Sequence, residues 1–281
     1  MRVAVLQVNS QADKAENIRV ACDLVDRAAG AGADLAVLPE YVDFLGPNEA
    51  ALASAETIPG PTSAIFAAKA RQHGLWLLAG SIRELSDDPG HVYNTSLLFD
   101  RDGAIVATYR KIHLYDVELT GNVSARESAT VSPGCEIVTA DIEGHRAGLS
   151  ICYDLRFPEL YRALALDGAE ILCVPAAFTM FTGKDHWEIL LRARAIENQC
   201  FVIASGQTGK HEPNNTCYGR SMIIDPWGTV LATAPDGVGL ACADLDFAHL
   251  RRIREQLPAL ANRQPAAYEQ HKAGKLVGAG A

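Results

Sequence analysis

Short apolar runs alternate with amphipathic stretches along most of the chain. Residues 2–8, 34–38 and 75–80 form apolar runs of strand length. Residues 13–31 instead carry apolar side chains three or four positions apart, the spacing of a helix with one face on a core. Gly60-Pro61-Thr62 marks the start of a second helix that runs to about residue 73. The early part of the chain is therefore predicted to be an α/β fold.

The same alternation returns later in the chain, after a hairpin and a long turn-rich segment. The hairpin is predicted between residues 94–100 and 104–109, closed by Arg101-Asp102-Gly103. The tail from Pro258 is rich in Ala, Gly and Gln and is predicted to be extended. The other elements are, in order, strands at about 136–142 and 146–151, a helix that starts at Pro158, a strand at 171–174, a helix at 184–199, strands at 201–205, 219–225, 229–234 and 239–244, and a helix at about 246–257.

An internal repeat relates the two parts. Residues 32–39 (GADLAVLP) resemble residues 168–175 (GAEILCVP), and each segment reads as a capping glycine, a buried strand and a proline stop. Two βαβ-type halves with pseudo-symmetry would place both prolines at equivalent strand ends. No linker interrupts the alternation, so one domain is predicted, with two sheets sandwiched between helices.

Composition and charge narrow the class of protein. The chain has 281 residues, of which 48% are hydrophobic and 21% charged, as in ordinary globular proteins. The net charge of −9 is spread along the chain without a Lys/Arg-rich run, which argues against nucleic acid or an anionic membrane as the main partner. The N-terminus enters a strand directly, and the apolar runs are too short to span a bilayer, so a soluble cytoplasmic protein is predicted.

The cysteines and histidines give no sign of a disulfide framework or a metal site. The seven cysteines are an odd number and are widely scattered, with no CxxC pair. The eight histidines are equally dispersed. Zinc is therefore not indicated, and no metal is expected.

One cysteine stands in a distinctive context. Cys152 follows the apolar run 148–151 and precedes a helix with proline at its first position, Pro158. At a strand-to-helix junction, backbone N–H groups and the helix dipole would favour a thiolate or an oxyanion. The alternative is a small buried core cysteine, and this stretch alone does not decide between them.

Three charged residues indicate a functional site only when they are considered together. Glu40 follows a buried strand and a proline, where α/β proteins tend to bind ligands, but a solvated loop acid is the alternative. Lys111 lies among apolar residues after a strand and would by itself be a surface lysine. Glu127 lies in a polar loop and would by itself be solvated.

Taken together, the order Glu, Lys, Glu, Cys resembles the nitrilase superfamily of carbon–nitrogen hydrolases. The resemblance covers about residues 1–268, which we take as a single hydrolase domain followed by a tail, 269–281. It implies a four-layer α-β-β-α sandwich with two pseudo-symmetric halves. The segments that carry it are Leu38-Pro39-Glu40, Arg110-Lys111-Ile112-His113-Leu114, Glu127 with Ser132-Pro133-Gly134, and Ile151 to Glu159 (ICYDLRFPE).

The resemblance also implies residue roles. Cys152 would attack an amide carbonyl and form a thioester, releasing ammonia before water frees the acid. Glu40 would act as the general acid–base, and Lys111 with the backbone N–H of Tyr153 would stabilise the oxyanion. Glu127 would orient Lys111 and the substrate nitrogen. No cofactor is implied.

Within the superfamily, the chain is most similar to the branch that contains deaminated glutathione amidase and omega-amidase, and it leans towards the former. Both substrates carry carboxylates, and the likeness makes Arg156 the residue to clamp one, unless it pairs with Asp154 or Glu159. Phe178 and Thr182 would line the same pocket. The sequence departs from the branch at Lys184-Asp185, which leaves the substrate open.

Two other functions are compatible with the resemblance. One is hydrolysis of N-carbamoyl amines or amino acids. The other is a non-catalytic binding role, which is less favoured because all four residues are present. A nitrile substrate fits the surroundings of Cys152 less well. The expected partner is a small-molecule amide. The family usually forms dimers that bury helices beside the active site, so a homodimer or higher homo-oligomer is expected.

Overall fold

The computed structural model describes residues 1–119, 121, 123–212 and 215–269. The helices are α1 (Lys14–Gly30), α2 (Asn48–Ala53), α3 (Pro61–His73), α4 (Pro158–Leu166), α5 (Met180–Asn198), α6 (Phe247–Gln256) and α7 (Pro265–Glu269). The strands are β1 (Arg2–Gln7), β2 (Leu35–Val37), β3 (Trp76–Leu78), β4 (Ile82–Leu85), β5 (Val92–Phe99), β6 (Ile105–Arg110), β7 (Asp116–Leu119), β8 (Val123–Arg126), β9 (Thr139–Ile142), β10 (His145–Leu149), β11 (Ile171–Ala176), β12 (Phe201–Gly206), β13 (Thr208–His211), β14 (Asn215–Tyr218), β15 (Met222–Ile224), β16 (Val230–Thr233) and β17 (Gly239–Asp244).

Two sheets carry the fold, and they have the same internal plan. The first has the order β17-β1-β2-β3-β5-β4, with β6 also paired to β5, and the second has the order β16-β15-β12-β11-β10-β9. In each sheet three parallel strands, β1-β2-β3 and β10-β11-β12, are flanked by antiparallel neighbours. The connecting helices also correspond, since α1 and α3 link the first set and α4 and α5 link the second. The predicted pseudo-symmetric halves are confirmed.

Side-chain alternation along the strands produces the layers. In β1, Val3 and Val5 belong to the apolar cluster shared with the second sheet, whereas Ala4 and Leu6 pack with residues of α1 and α3. Successive side chains of a strand point to opposite faces, so one strand contributes to both interfaces. The sheets lie face to face, with β1 against β12. The result is the predicted α-β-β-α sandwich.

Several expected elements match the structure, and others were missed. The helix to residue 73, the hairpin of β5 and β6 and the helix from Pro158 are confirmed. The β7–β8 hairpin was missed because its segment reads as turn-rich. The short strands β4, β13 and β14 and the helix α2 were also missed.

The prediction for the tail is wrong in part. Residues 265–269 form α7 instead of an extended chain, with proline at the start of the segment and helix-forming alanines after it. The domain boundary at residue 268 stays a prediction, and residues 270–281 lie outside the described residues. Among the described helices, none has both the length and the apolar character needed to cross a membrane.

A close approach between two loops fixes the chain just after β2. Gly80 has a φ of +61°, and a Cβ at this position would overlap the carbonyl oxygen of Pro39. The next residue, Ser81, accepts a hydrogen bond from the Tyr41 N–H through its Oγ (3.0 Å) and one from the Val42 N–H through its carbonyl oxygen (3.0 Å). The β3–β4 connection therefore sets the position of the residues on either side of Glu40.

We expect Gly80→Ala to destabilise the protein more than Gly74→Ala. Both glycines have a left-handed φ, so each alanine costs about 1 kcal/mol or more in backbone strain. Only Gly80→Ala also meets backbone, whereas a Cβ at Gly74 meets nothing within 4 Å, and such overpacking costs about 1–3 kcal/mol. Urea unfolding of both variants measures the difference. Equal losses in the free energy of unfolding would show that the contact with Pro39 carries no constraint.

Candidate active site

The four residues singled out by the sequence come together on the floor of one cavity. Glu40 follows β2, Lys111 follows β6, Glu127 starts a 3-10 turn and Cys152 lies just beyond β10. All four line a cavity of about 670 Å³. Its position beyond the ends of parallel strands is the usual one for ligand sites in α/β folds.

Lys111 lies between two carboxylates. Its Nζ donates to Glu40 Oε1 at 2.9 Å and to Glu127 Oε2 at 2.9 Å, and only 2% of the lysine is exposed. Burial alone would lower its pKa, but the charges of Glu127 and Glu40 outweigh burial, so the pKa lies well above its usual value. The lysine is therefore a buried cation, not the surface lysine that its local sequence allows.

Glu40 is held on both carboxylate oxygens. Besides Lys111, Oε1 accepts from Asn94 Nδ2 at 2.8 Å, and Oε2 accepts from the backbone N–H of Ala177 at 2.7 Å. Ala177 directly follows β11, the strand that corresponds to β2 in the second half. Since Glu40 is 2% exposed, the alternative of a solvated loop acid is wrong.

Glu127 is the second carboxylate on Lys111. It also accepts from the Tyr41 hydroxyl at 2.8 Å and from the backbone N–H of Tyr115 at 2.6 Å. Burial would raise its pKa, but the charge of Lys111 and these hydrogen bonds lower it below the usual value. Glu127 is thus an ionised, nearly buried group, and the solvated alternative is wrong here as well.

Cys152 occupies a strained position at the start of the 3-10 turn Cys152–Arg156. Its φ is +50°, a region that non-glycine residues adopt at a cost of about 1–3 kcal/mol and mostly at functional sites. Burial, followed by the negative charge of Glu40, raises the pKa of the thiol well above its ordinary value. Cys152 does not lie at the start of the helix, because α4 begins only at Pro158, so the helix dipole is farther from the sulfur than the sequence indicated.

The turn that carries Cys152 is tied to the segment that carries Lys111 by Asp154. Its fully buried carboxylate accepts from the Tyr109 hydroxyl at 2.6 Å, from the His113 N–H at 3.0 Å and from the Ile151 N–H at 2.8 Å. Tyr109 and His113 flank Lys111 in the sequence. One carboxylate therefore fixes the relative position of the cysteine and the lysine.

The residues expected to bind substrate also line the cavity. These are Arg156, Phe178 and Thr182, together with Tyr153, which follows Cys152 in the turn. The Arg156 guanidinium lies 5.2 Å from the Phe178 ring centroid, and its Nη1 lies 3.2 Å from His186 Nδ1. Within the described part of the chain Arg156 makes no ion pair, so the alternative pairing with Asp154 or Glu159 is wrong.

The departure at Lys184-Asp185 does not touch the cavity. The two side chains pair with each other (Nζ–Oδ2 2.5 Å) on the solvent-exposed side of α5. Neither residue lines the cavity. Their difference from the branch pattern therefore lies outside the cavity lining.

Three contributors to the site were missed by sequence reasoning. Asn94 donates to Glu40 and, at 3.3 Å, to Glu127, and it is fully buried in the middle of β5. Tyr41 and Tyr115 hold Glu127, the latter through its backbone. The signal for Asn94 was present, because the polar run Asn94-Thr95-Ser96 interrupts an otherwise apolar strand. No group of three or more His, Cys, Asp or Glu among residues the structure describes is placed to hold a metal ion.

Comparison with known proteins agrees with this geometry. The family model of the carbon–nitrogen hydrolases matches residues 2–255. The human protein named deaminated glutathione amidase is 45% identical over 271 residues, which cover 95% of this chain and 83% of the human one. The protein of the same name from Synechocystis is 44% identical over 264 residues, covering 92% of this chain and 97% of its own.

The fold is shared as well. The crystal structure of Saccharomyces cerevisiae Nit3, described as a member of branch 10 of the nitrilase superfamily, matches with a TM-score of 0.85 and 31% identity. The match covers 94% of this chain and 96% of Nit3. The chain belongs to the nitrilase superfamily of carbon–nitrogen hydrolases. It is a hydrolase that acts on amides.

Proposed function

We propose that the protein hydrolyses a small carboxylate-bearing amide through a thioester on Cys152, and that deaminated glutathione is its preferred substrate. The observation that carries the reaction type is the buried lysine, held by two carboxylates, that shares a cavity with the buried thiol of Cys152, whose pKa is raised by burial. The names of the relatives support the choice of substrate.

In the first half of the reaction Cys152 attacks the amide carbonyl. Glu40 takes the thiol proton as the C–S bond forms, because the raised pKa of the thiol requires a base at hand. The developing oxyanion is stabilised by Lys111 Nζ and the backbone N–H of Tyr153. Glu40 then gives the proton to the nitrogen as the C–N bond breaks, leaving a thioester and a neutral amine.

In the second half water replaces the amine. Glu40 takes a proton from the water, whose oxygen attacks the thioester carbonyl, and the same two donors stabilise the oxyanion. The C–S bond breaks, the sulfur recovers a proton from Glu40, and the acid leaves. Glu127 keeps Lys111 in place. It also lies on the side of the departing nitrogen and accepts a hydrogen bond from that nitrogen.

The leaving group depends on the amide. Deaminated glutathione carries a secondary amide, so its hydrolysis releases a peptide amine. The ammonia expected from the sequence is released only from a primary amide such as 2-oxoglutaramate. Arg156 lines the cavity and has no carboxylate partner among the described residues, which supports a role in holding the carboxylate of either acyl group. Omega-amidase activity is therefore the second candidate.

We expect the wild-type protein to hydrolyse deaminated glutathione with the highest kcat/KM in a panel with 2-oxoglutaramate, an N-carbamoyl amino acid and a simple nitrile. Assays for 2-oxoglutarate, ammonia and carbon dioxide identify the products that are released from each substrate. Cys152→Ala should lose at least about a thousandfold in kcat. Preference for 2-oxoglutaramate would make the protein an omega-amidase, and carbon dioxide release would make it a carbamoyl hydrolase. Turnover of no substrate by folded protein would overturn the proposal in favour of a binding role.

We propose further that the protein is a homodimer joined through the outer face of α5. Ile189 and Ile196 of this helix and the nearby Trp227 are 69%, 50% and 61% exposed. Ile196 and Trp227 also line a small apolar depression with Leu257. Large exposed apolar side chains concentrated on one face are typical of interfaces.

We also propose that the protein is located in the cytoplasm, and cell fractionation tests this location.

Light scattering after size exclusion should give the mass of a dimer, and Trp227→Glu should shift it to the monomer because a charge is costly in a buried interface. Ile65→Glu is the matched control, since Ile65 is an exposed apolar residue (40%) on α3. A monomeric wild type, or dissociation by the Ile65 variant instead, would contradict the assignment to α5.

A further inference from the structure

A second guanidinium faces the cavity from another wall. Arg83 on β4 lines the cavity, although only 9% of the residue is exposed. Its guanidinium carbon lies 4.0 Å from the centroid of the Tyr41 ring, and its Nη1 donates to the carbonyl oxygen of Phe44 at 2.9 Å. Stacking on an aromatic face fixes the plane of a guanidinium.

The protein leaves most of this cation unsatisfied. Of the five N–H donors of a guanidinium, the described residues accept from Nη1 only, and no carboxylate among them pairs with Arg83. Asp43 is an acid near Arg83: burial raises the pKa of its carboxyl, the charges of Lys14 and then Arg83 oppose that rise, and its ion pair is with Lys14 at 3.0 Å. Arg83 lines the cavity, so donors that Phe44 does not occupy are available to a ligand there.

Such an arrangement points to an anionic ligand. A buried charge that makes no direct ion pair is costly, and proteins normally pair it. A guanidinium with free, planar donors matches the two oxygens of a carboxylate. Arg83, which forms no ion pair with the residues that the structure describes, therefore has the properties of a pre-formed carboxylate site.

The location of Arg83 decides which part of a substrate it can reach. The Tyr41 ring on which it stacks donates its hydroxyl to Glu127 at 2.8 Å, so Arg83 lies on the Glu127 side of the site. In the proposed mechanism this is the side of the departing nitrogen. Arg156 lies instead beside Tyr153 and Phe178, next to the cysteine.

We propose that Arg83 binds a carboxylate on the leaving group, so that the preferred substrates carry one carboxylate on the acyl part and another on the amine part. This inference rests on the proposed amidase function and deepens it. It also accounts for the size of the cavity, about 670 Å³, which is in the range of pockets for drug-sized ligands and would be mostly empty around a five-carbon amide.

One other arginine, Arg126 at the end of β8, also lines the cavity. Its side chain is exposed to solvent, so its charge is screened and worth less to a bound carboxylate. Arg83 is buried and pre-oriented by Tyr41, and the observations favour it over Arg126. The two arginines form a matched pair for the test.

The test uses two substrates that differ only at the far end of the leaving group: the 2-oxoglutaryl amide of cysteinylglycine, and the same compound with a carboxamide in place of the glycine carboxylate. We expect wild type to prefer the carboxylate by about 10- to 100-fold in kcat/KM, the range of a charged hydrogen-bonded pair. Arg83→Gln should abolish the preference, and Arg83→Lys, which keeps the charge but not the fork, should retain part of it.

The ratio of the two substrates removes effects common to both, such as a shift of Glu127 when the stack on Tyr41 is lost. Arg126→Gln should keep the wild-type preference. Equal hydrolysis of both substrates by wild type would overturn the Arg83 site and leave the amidase function standing. A preference that survives Arg83→Gln and disappears in Arg126→Gln would overturn the assignment in the same way.

Binding to Cys152→Ala separates the two proposals. Isothermal titration of this variant, with and without Arg83→Gln, should show the same 10- to 100-fold preference and its loss, in roughly the same ratio as kinetics. If wild type hydrolyses neither substrate but Cys152→Ala shows this pattern, the amidase function fails and the carboxylate site stands. If binding shows no preference, the Arg83 site fails whatever the kinetics show.

Discussion

A buried lysine between two carboxylates is the constraint on which the site depends. Lys111 contacts Glu40 and Glu127 at 2.9 Å each, away from bulk solvent. Removing one partner from such a group leaves an uncompensated buried charge, at a cost of about 3–5 kcal/mol. The three residues therefore have to be held together, and the surrounding hydrogen bonds from Asn94 and Tyr41 do so. In the proposed mechanism the same arrangement presents a cation to the developing oxyanion.

The two-fold plan of the fold supplies these positions. Glu40 extends from β2, and the backbone N–H that binds its second oxygen comes from Ala177, after the corresponding strand β11. The two sheets thus meet at the carboxylate. Asp154 adds the remaining link, because it ties the turn of Cys152 to residues on both sides of Lys111. These hydrogen bonds hold the charged groups in place without a ligand, and such preorganisation lowers the cost of organising charge during reaction.

Much of this could be predicted from the sequence, for identifiable reasons. Strand-helix alternation and the repeat of residues 32–39 at 168–175 indicate the two halves, because buried parallel strands read as continuous apolar runs. The burial of Lys111 and the roles of Asn94 and Tyr41 could not be read from local pattern, since they depend on contacts between segments far apart in the chain. Arg83 was missed for the same reason: its environment is made by Tyr41 and Phe44, some 40 positions away.

The central claim is that Cys152 rests as a thiol and needs Glu40 as its base. Its direct test is a titration of thiolate absorbance, taken as the difference between wild type and Cys152→Ala, so that the other six cysteines cancel. We expect a pKa above about 8.5, the ordinary value for cysteine, and a lower one in Glu40→Gln, where the neighbouring negative charge is gone. A wild-type pKa below about 7 would mean a resting thiolate, as in enzymes whose cysteine is activated before substrate binds, and would contradict the account.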